Sequence, residues 1–288
     1  MTKKATTVDQ QIEILRERGM NFDMEIEKVK EILLDIGYYR LGFYWNPFEI
    51  DPNHNFISGT KFSDVVALYY LDFDLRRLLT NYLNRIEINF RTKLVYLMSN
   101  QYPNTPTWFI SSHIVSASYI RDFDIIVYNQ KFINNNKPIK KHHQKYINDR
   151  YAPAWKTIEF FTFGNIFTLY NSLILEADKK CIVKEYDINR LDTFVKLVSV
   201  LVFARNSCAH GTALFDINLP KSLPKMVFMN ITQNYNNLDS MIKIIRYFIG
   251  IISKNRMQDF DKEIDDIIEK NKLNPRIKNI IEKKMGIV

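Results

Sequence analysis

Glycine and proline are scarce, at eight and nine of 288 residues. Sandwiches, barrels and glycine-rich nucleotide folds need many tight turns, so the shortage disfavours them and suits long helices. Only two cysteines occur, Cys181 and Cys208, with no ligand-like spacing around either. That argues against a disulfide framework and for a reduced, cytoplasmic setting. The opening stretch, MTKKATTVDQQIEIL, lacks the apolar core of a secretion signal. No apolar run reaches the roughly 18 residues that span a bilayer. The richest, MIKIIRYFIGIISK from Met241, is broken by Lys243 and Arg246 and reads as a core helix with no membrane partner. Strand-like alternation and internal repeats are also missing, so the expected fold class is all-α.

What is present suits a large core. Hydrophobic residues make up 46% and aromatics 14%, which argues against disorder. The length permits one large domain or two ordinary ones. A net charge of +8 and a pI near 9.2 favour an anionic partner such as nucleic acid.

Helical spacing predicts elements over Val8–Arg18 and Asp23–Ile36, with Gly37 as a stop. GYYRLGFYWNPFEID, Gly37 to Asp51, shows no obvious helical period. It reads either as a loop folded onto the core or as a base-stacking surface with Tyr39, Trp45 and Arg40, the arginine on phosphate. From Ser63 a seam of Leu68, Leu71, Leu75, Leu78 and Tyr82 starts one long helix, or two end to end, reaching about Asn100. Within it Arg85, Glu87 and Arg91 lie among apolar neighbours. They either tie helices together or line a polar cleft, where the two arginines could meet RNA.

Further helices are expected over Ser116–Phe132 and from Pro153 to about Ala177. Between them the basic stretch 137–150 carries Lys140, Lys141, His142, His143, Lys145 and Arg150. It reads as a phosphate-binding patch or a solvated face; adjacent histidines on a helix diverge by about 100°, which disfavours a metal site. After an irregular stretch holding Pro220 and Pro224, helices are expected over Leu238–Ser253 and Asp259–Lys270, and a short one after Pro275. Ordinary lengths give roughly eight to eleven helices.

One segment, about 188–210, ends in FARNSCAHG, Phe203 to Gly211. Asn206 and His210 are one helical turn apart, and Arg205 can swing its guanidinium toward the imidazole. Histidine moves protons near neutral pH and arginine grips phosphate oxygens, so the trio suits phosphate chemistry. The alternative is a plain helix C-terminus stopped by Gly211.

The blocks IGYYRLGFYWNPF, FSDVVALYYLDFDLRRLL, NRIEINFRTKL, PAWKTIEFFTFGNIFTLYNSL and VLVFARNSCAHG occur in this order. Together they resemble the Abi-like family of abortive-infection proteins (the AbiD/AbiF group) within the HEPN superfamily, over roughly Val8 to Gly250. The resemblance implies one all-helical HEPN-type domain over 1–288 with additional N- and C-terminal helices. It also implies phage defence and RNA cleavage with no metal or other cofactor. Arg205 matches the motif arginine, Asn206 the polar residue after it and His210 the motif histidine, spaced R-x4-H. Some similar members are encoded beside a small structured RNA, so a bound non-coding RNA joins substrate RNA as an expected partner. A homodimer would bring two motifs into one cleft. Two other readings are a non-catalytic RNA-binding protein and a helical protein-interaction module.

Overall fold

The computed structural model describes residues 4–220, 223, 226 and 236–287. Within them the chain is all-α, with only isolated β-bridges. Helices α1 (Val8–Glu17), α2 (Ile26–Ile32) and α3 (Tyr38–Trp45) precede α4 (Phe62–Gln101). Then come α5 (Ala117–Ile126), α6 (Gln130–Asn135), α7 (Lys137–Lys145), α8 (Ala154–Thr157), α9 (Phe163–Ser172) and α10 (Glu176–Lys184). The remainder is α11 (Leu191–Ala209), α12 (Leu238–Ile252), α13 (Lys254–Lys272) and α14 (Pro275–Ile280).

The 40-residue α4 is the mast of the fold, about 60 Å long at 1.5 Å per residue. Its buried residues step by three and four through Leu68, Leu71, Leu75, Leu79, Leu83, Ile86, Phe90, Leu94 and Met98. Neighbours on both sides use that seam: α3, α9, α10, α11, α12, α13 and α14 all pack on α4. Phe90 meets Phe163, Tyr170, Tyr186 and Phe194 in an aromatic cluster that Phe248 of α12 extends. This cluster fixes the start of α11 against the mast and so sets the line along which α11 delivers its C-terminal end.

The structure departs from the expected elements in four places. Gly37–Asp51 is not a loop: after Gly37, at φ +93°, it forms α3 and a 3₁₀ turn. Leu41, Tyr44, Trp45 and Phe48 are buried at helical spacing, and the exposed Tyr39 before them and Phe43 among them hid that period. The single helix expected over Ser116–Phe132 breaks at Val127–Asn129, because the Asn129 side chain accepts from Phe132 N (3.0 Å) and caps α6. Thr162 likewise caps α9 by accepting from Asn165 N (3.2 Å), which divides the helix expected from Pro153. Helix α10 was not anticipated; it buries Ile182 and Val183, and its Asp178 accepts from Tyr102 Oη (2.7 Å). These divisions give more helical segments than the expected eight to eleven. Pro224, in the irregular stretch, lies outside the described residues.

Candidate functional site

The motif sits where α11 runs out. Phe194, Leu197, Val198, Leu201, Ala204 and Cys208 bury the face toward the core, and the motif side chains fall on the other. His210 is the C-cap residue, its N–H bonded to Asn206 O (2.9 Å). Gly211 follows at φ +69°, a left-handed conformation that turns the chain. Asn206 and His210 are therefore stacked one turn apart as expected, and both are exposed. Arg205 is a third exposed. Its Nη1 donates to Asn206 Oδ1 (3.2 Å) and its Nε lies 3.4 Å from Glu87 Oε2. Burial pushes the Cys208 thiol up to about 12, which leaves this cysteine inside the motif a poor nucleophile.

Spacing alone left open the role of Glu87, together with those of Arg85 and Arg91. Its carboxylate is buried and holds two arginines at once, Arg205 through Oε2 and Arg91 through Oε1 (3.0 Å to Nη2). Arg91 also donates from Nη2 to Phe161 O (3.1 Å). Glu87 and Arg91 thus tie α4 to α11 and to the backbone at Phe161, and neither lines the cleft at His210. Arg85 is exposed on α4.

A second buried polar cluster holds the chain that leaves the motif. Asp72, fully buried, accepts from Leu214 N (2.6 Å), Phe215 N (2.9 Å) and Tyr44 Oη (3.0 Å), and is paired with Arg76. Arg76 in turn donates to Tyr44 Oη (2.9 Å) and Thr212 O (3.3 Å). Desolvation pushes the Asp72 carboxyl up, against the pull of Arg76 and the two backbone N–H groups. Arg40 bonds to the Gly211 carbonyl. The arginine expected on phosphate is thus also a clamp on the turn beside His210. A Cβ at position 211 would lie 2.7 Å from Arg40 Nη2, so glycine serves the close approach as well as the backbone angle. Asp72 and Arg76 escaped the sequence reading, although a charged i,i+4 pair inside a leucine seam is a usable signal for a buried ion pair.

These contacts frame an open cleft of about 510 Å³, lined by Arg40, Phe43, Asn46, His210 and Asp216 together with residues 211–213. Of the proposed stacking residues Tyr39 is exposed, but Trp45 is only 5% exposed and packs against Tyr38 and Phe56. Trp45 is therefore core, and no base can stack on it without unpacking α3. In the basic stretch Lys140, Lys141 and Lys145 are exposed, whereas His142 is buried, with Nε2 3.1 Å from Asp149 Oδ2. Desolvation and the nearby Lys156 charge lower the His142 pKa, so it adds no charge to that face near neutral pH. None of the lysines lines the cleft at His210.

Among the described residues no group of three or more His, Cys, Asp or Glu side chains could hold a metal ion. No helix there is long and apolar enough to cross a membrane. A family model described as Abi-like protein matches residues 31–216, from the end of α2 through the motif and the turn held by Asp72. No significant match was found among curated proteins or solved structures.

Proposed function

The chain belongs to the Abi-like protein family, and from that premise we propose that it is a phage-defence RNA-binding protein and a metal-independent endoribonuclease of the HEPN kind. The observation that carries this reading is the exposed His210 lining a cleft, five residues after an arginine held by a buried carboxylate. RNA supplies its own nucleophile, the ribose 2′-OH. The protein has to remove that proton, neutralise the phosphorane and return a proton to the leaving 5′-oxygen. His210 transfers the proton, a contribution typically of about 10²–10⁴-fold. Arg205 meets the phosphate: Glu87 and Asn206 engage Nε and Nη1, which leaves Nη2 for a phosphate oxygen. Asn206 positions the guanidinium. The products carry a 2′,3′-cyclic phosphate and a 5′-OH.

One chain offers one such histidine, whereas the reaction uses an acid and a base. A two-fold dimer that brings two motifs together supplies both, and the exposure of His210 and Asn206 in the single chain leaves them open to a partner copy. The test is cleavage of a synthetic RNA in EDTA, after any co-purified RNA is stripped. His210→Ala should cut at least about 100-fold more slowly while folding normally, and a substrate with 2′-deoxy at the scissile position should bind without being cut. Wild-type rates in His210→Ala sink the assignment.

The second reading keeps the site but removes the chemistry: a protein that grips a small non-coding RNA. It is favoured by the engagement of Arg205 with Glu87 and Asn206, which already occupies two of its three guanidinium nitrogens. RNA binding without any cleavage in the same assay decides for it.

A further inference from the structure

The chain has three tryptophans. Trp45 and Trp108 are core residues at 5% and 0% exposure, whereas Trp155 is 54% exposed. Its position is not loose. The neighbouring Ala154 is fully buried and donates its N–H to Pro106 O (2.8 Å), and Thr157 donates Oγ1–H to Ala152 O (2.8 Å). The backbone of α8 is bolted to the core while the indole projects from it. Across a groove of about 330 Å³ stands Tyr96 of α4, 66% exposed, with Arg91 and Glu159 also lining it. Two large aromatics held in water on rigid helices on either side of one groove offer flat faces on which a ligand can stack.

The groove is joined to the motif by a named contact. Arg91 lines it and shares the Glu87 carboxylate with Arg205. Tyr96 lies nine positions beyond Glu87 on α4, about 14 Å of helix.

We propose that this groove takes an unpaired nucleobase of the RNA strand that crosses the motif, stacked on Trp155 and Tyr96, with Arg91, itself paired to Glu87 and Glu159, lining the groove beside it. Stacking needs a free base face, so the groove selects single-stranded over duplex RNA. Glu159, 3.6 Å from Arg91 Nη1 at the rim, disfavours phosphate there and can accept from a base amino group. The inference rests on the RNA reading above and deepens it.

The test uses full-length protein carrying His210→Ala, so that the strand survives, and titrates an unstructured RNA oligonucleotide and a blunt duplex. Trp155→Ala and Tyr96→Ala should each weaken single-strand binding by roughly tenfold, within the range of one lost base–aromatic stack. Trp155→Phe should restore most of the loss, and duplex affinity should hardly change. If Trp155→Ala binds the single strand as the parent does, or changes only the oligomeric state, the groove proposal falls and the RNA reading stands. If the parent binds neither RNA, both fall.

Discussion

Asp72→Asn is the sharpest test of how the chain is held beside His210. The carboxylate is fully buried and accepts from two backbone N–H groups, a tyrosine hydroxyl and Arg76. An asparagine keeps one acceptor oxygen but points an N–H₂ group at donors, and leaves Arg76, 7% exposed, without its counter-charge. Removing one partner of a buried pair typically costs about 3–5 kcal/mol. At roughly 2–4 °C per kcal/mol for a large domain, the midpoint of thermal unfolding should fall by roughly 6–20 °C. Urea unfolding followed by circular dichroism measures the free energy. A double-mutant cycle with Arg76→Met isolates the pair: the double variant should be less destabilised than the two singles summed, by about 0.5–3 kcal/mol. RNA cleavage should fall in Asp72→Asn as well, since residues 212–215 lose their anchor. An Asp72→Asn protein within about 0.5 kcal/mol of wild type, the range of an ordinary surface change, refutes the argument.

Two further expectations follow from the same turn. Gly211→Ala places a Cβ at φ +69° and 2.7 Å from Arg40 Nη2, and should cost about 1–3 kcal/mol in urea unfolding while slowing cleavage; an unaffected Gly211→Ala would show that the turn is not clamped. Burial, reinforced by the Asp72 charge, pushes the Tyr44 phenol up from 10 to about 12. A raised pKa means its contribution is complete below pH 10 and is lost as the pH rises toward 12, about 2–3 kcal/mol in all. Tyr44→Phe lacks this loss, so its stability gap to wild type should narrow over that window, and an equal slope in both proteins contradicts it.

Several elements were legible from spacing alone. The seam from Leu68 to Leu78 announces α4, the apolar steps from Leu191 to Val202 announce α11, and R-x4-H at its end marks the motif, because helical periodicity and caps are local properties. Short caps such as Asn129 and Thr162 were equally local but were hidden inside longer apolar runs. Trp45 and Tyr39 look alike in the sequence, yet one is core and the other exposed.

What the sequence by itself determined, then, is an all-helical chain with an arginine, an asparagine and a histidine at the close of one helix. The tertiary structure decided where those groups point. Arg205 turns to Glu87, 118 positions earlier in the chain, and the backbone after His210 is held by Asp72, 142 and 143 positions before the N–H groups it accepts. Burying a carboxylate demands whatever cations and N–H groups packing brings within reach. Those partners come from other helices, so no local pattern could name them.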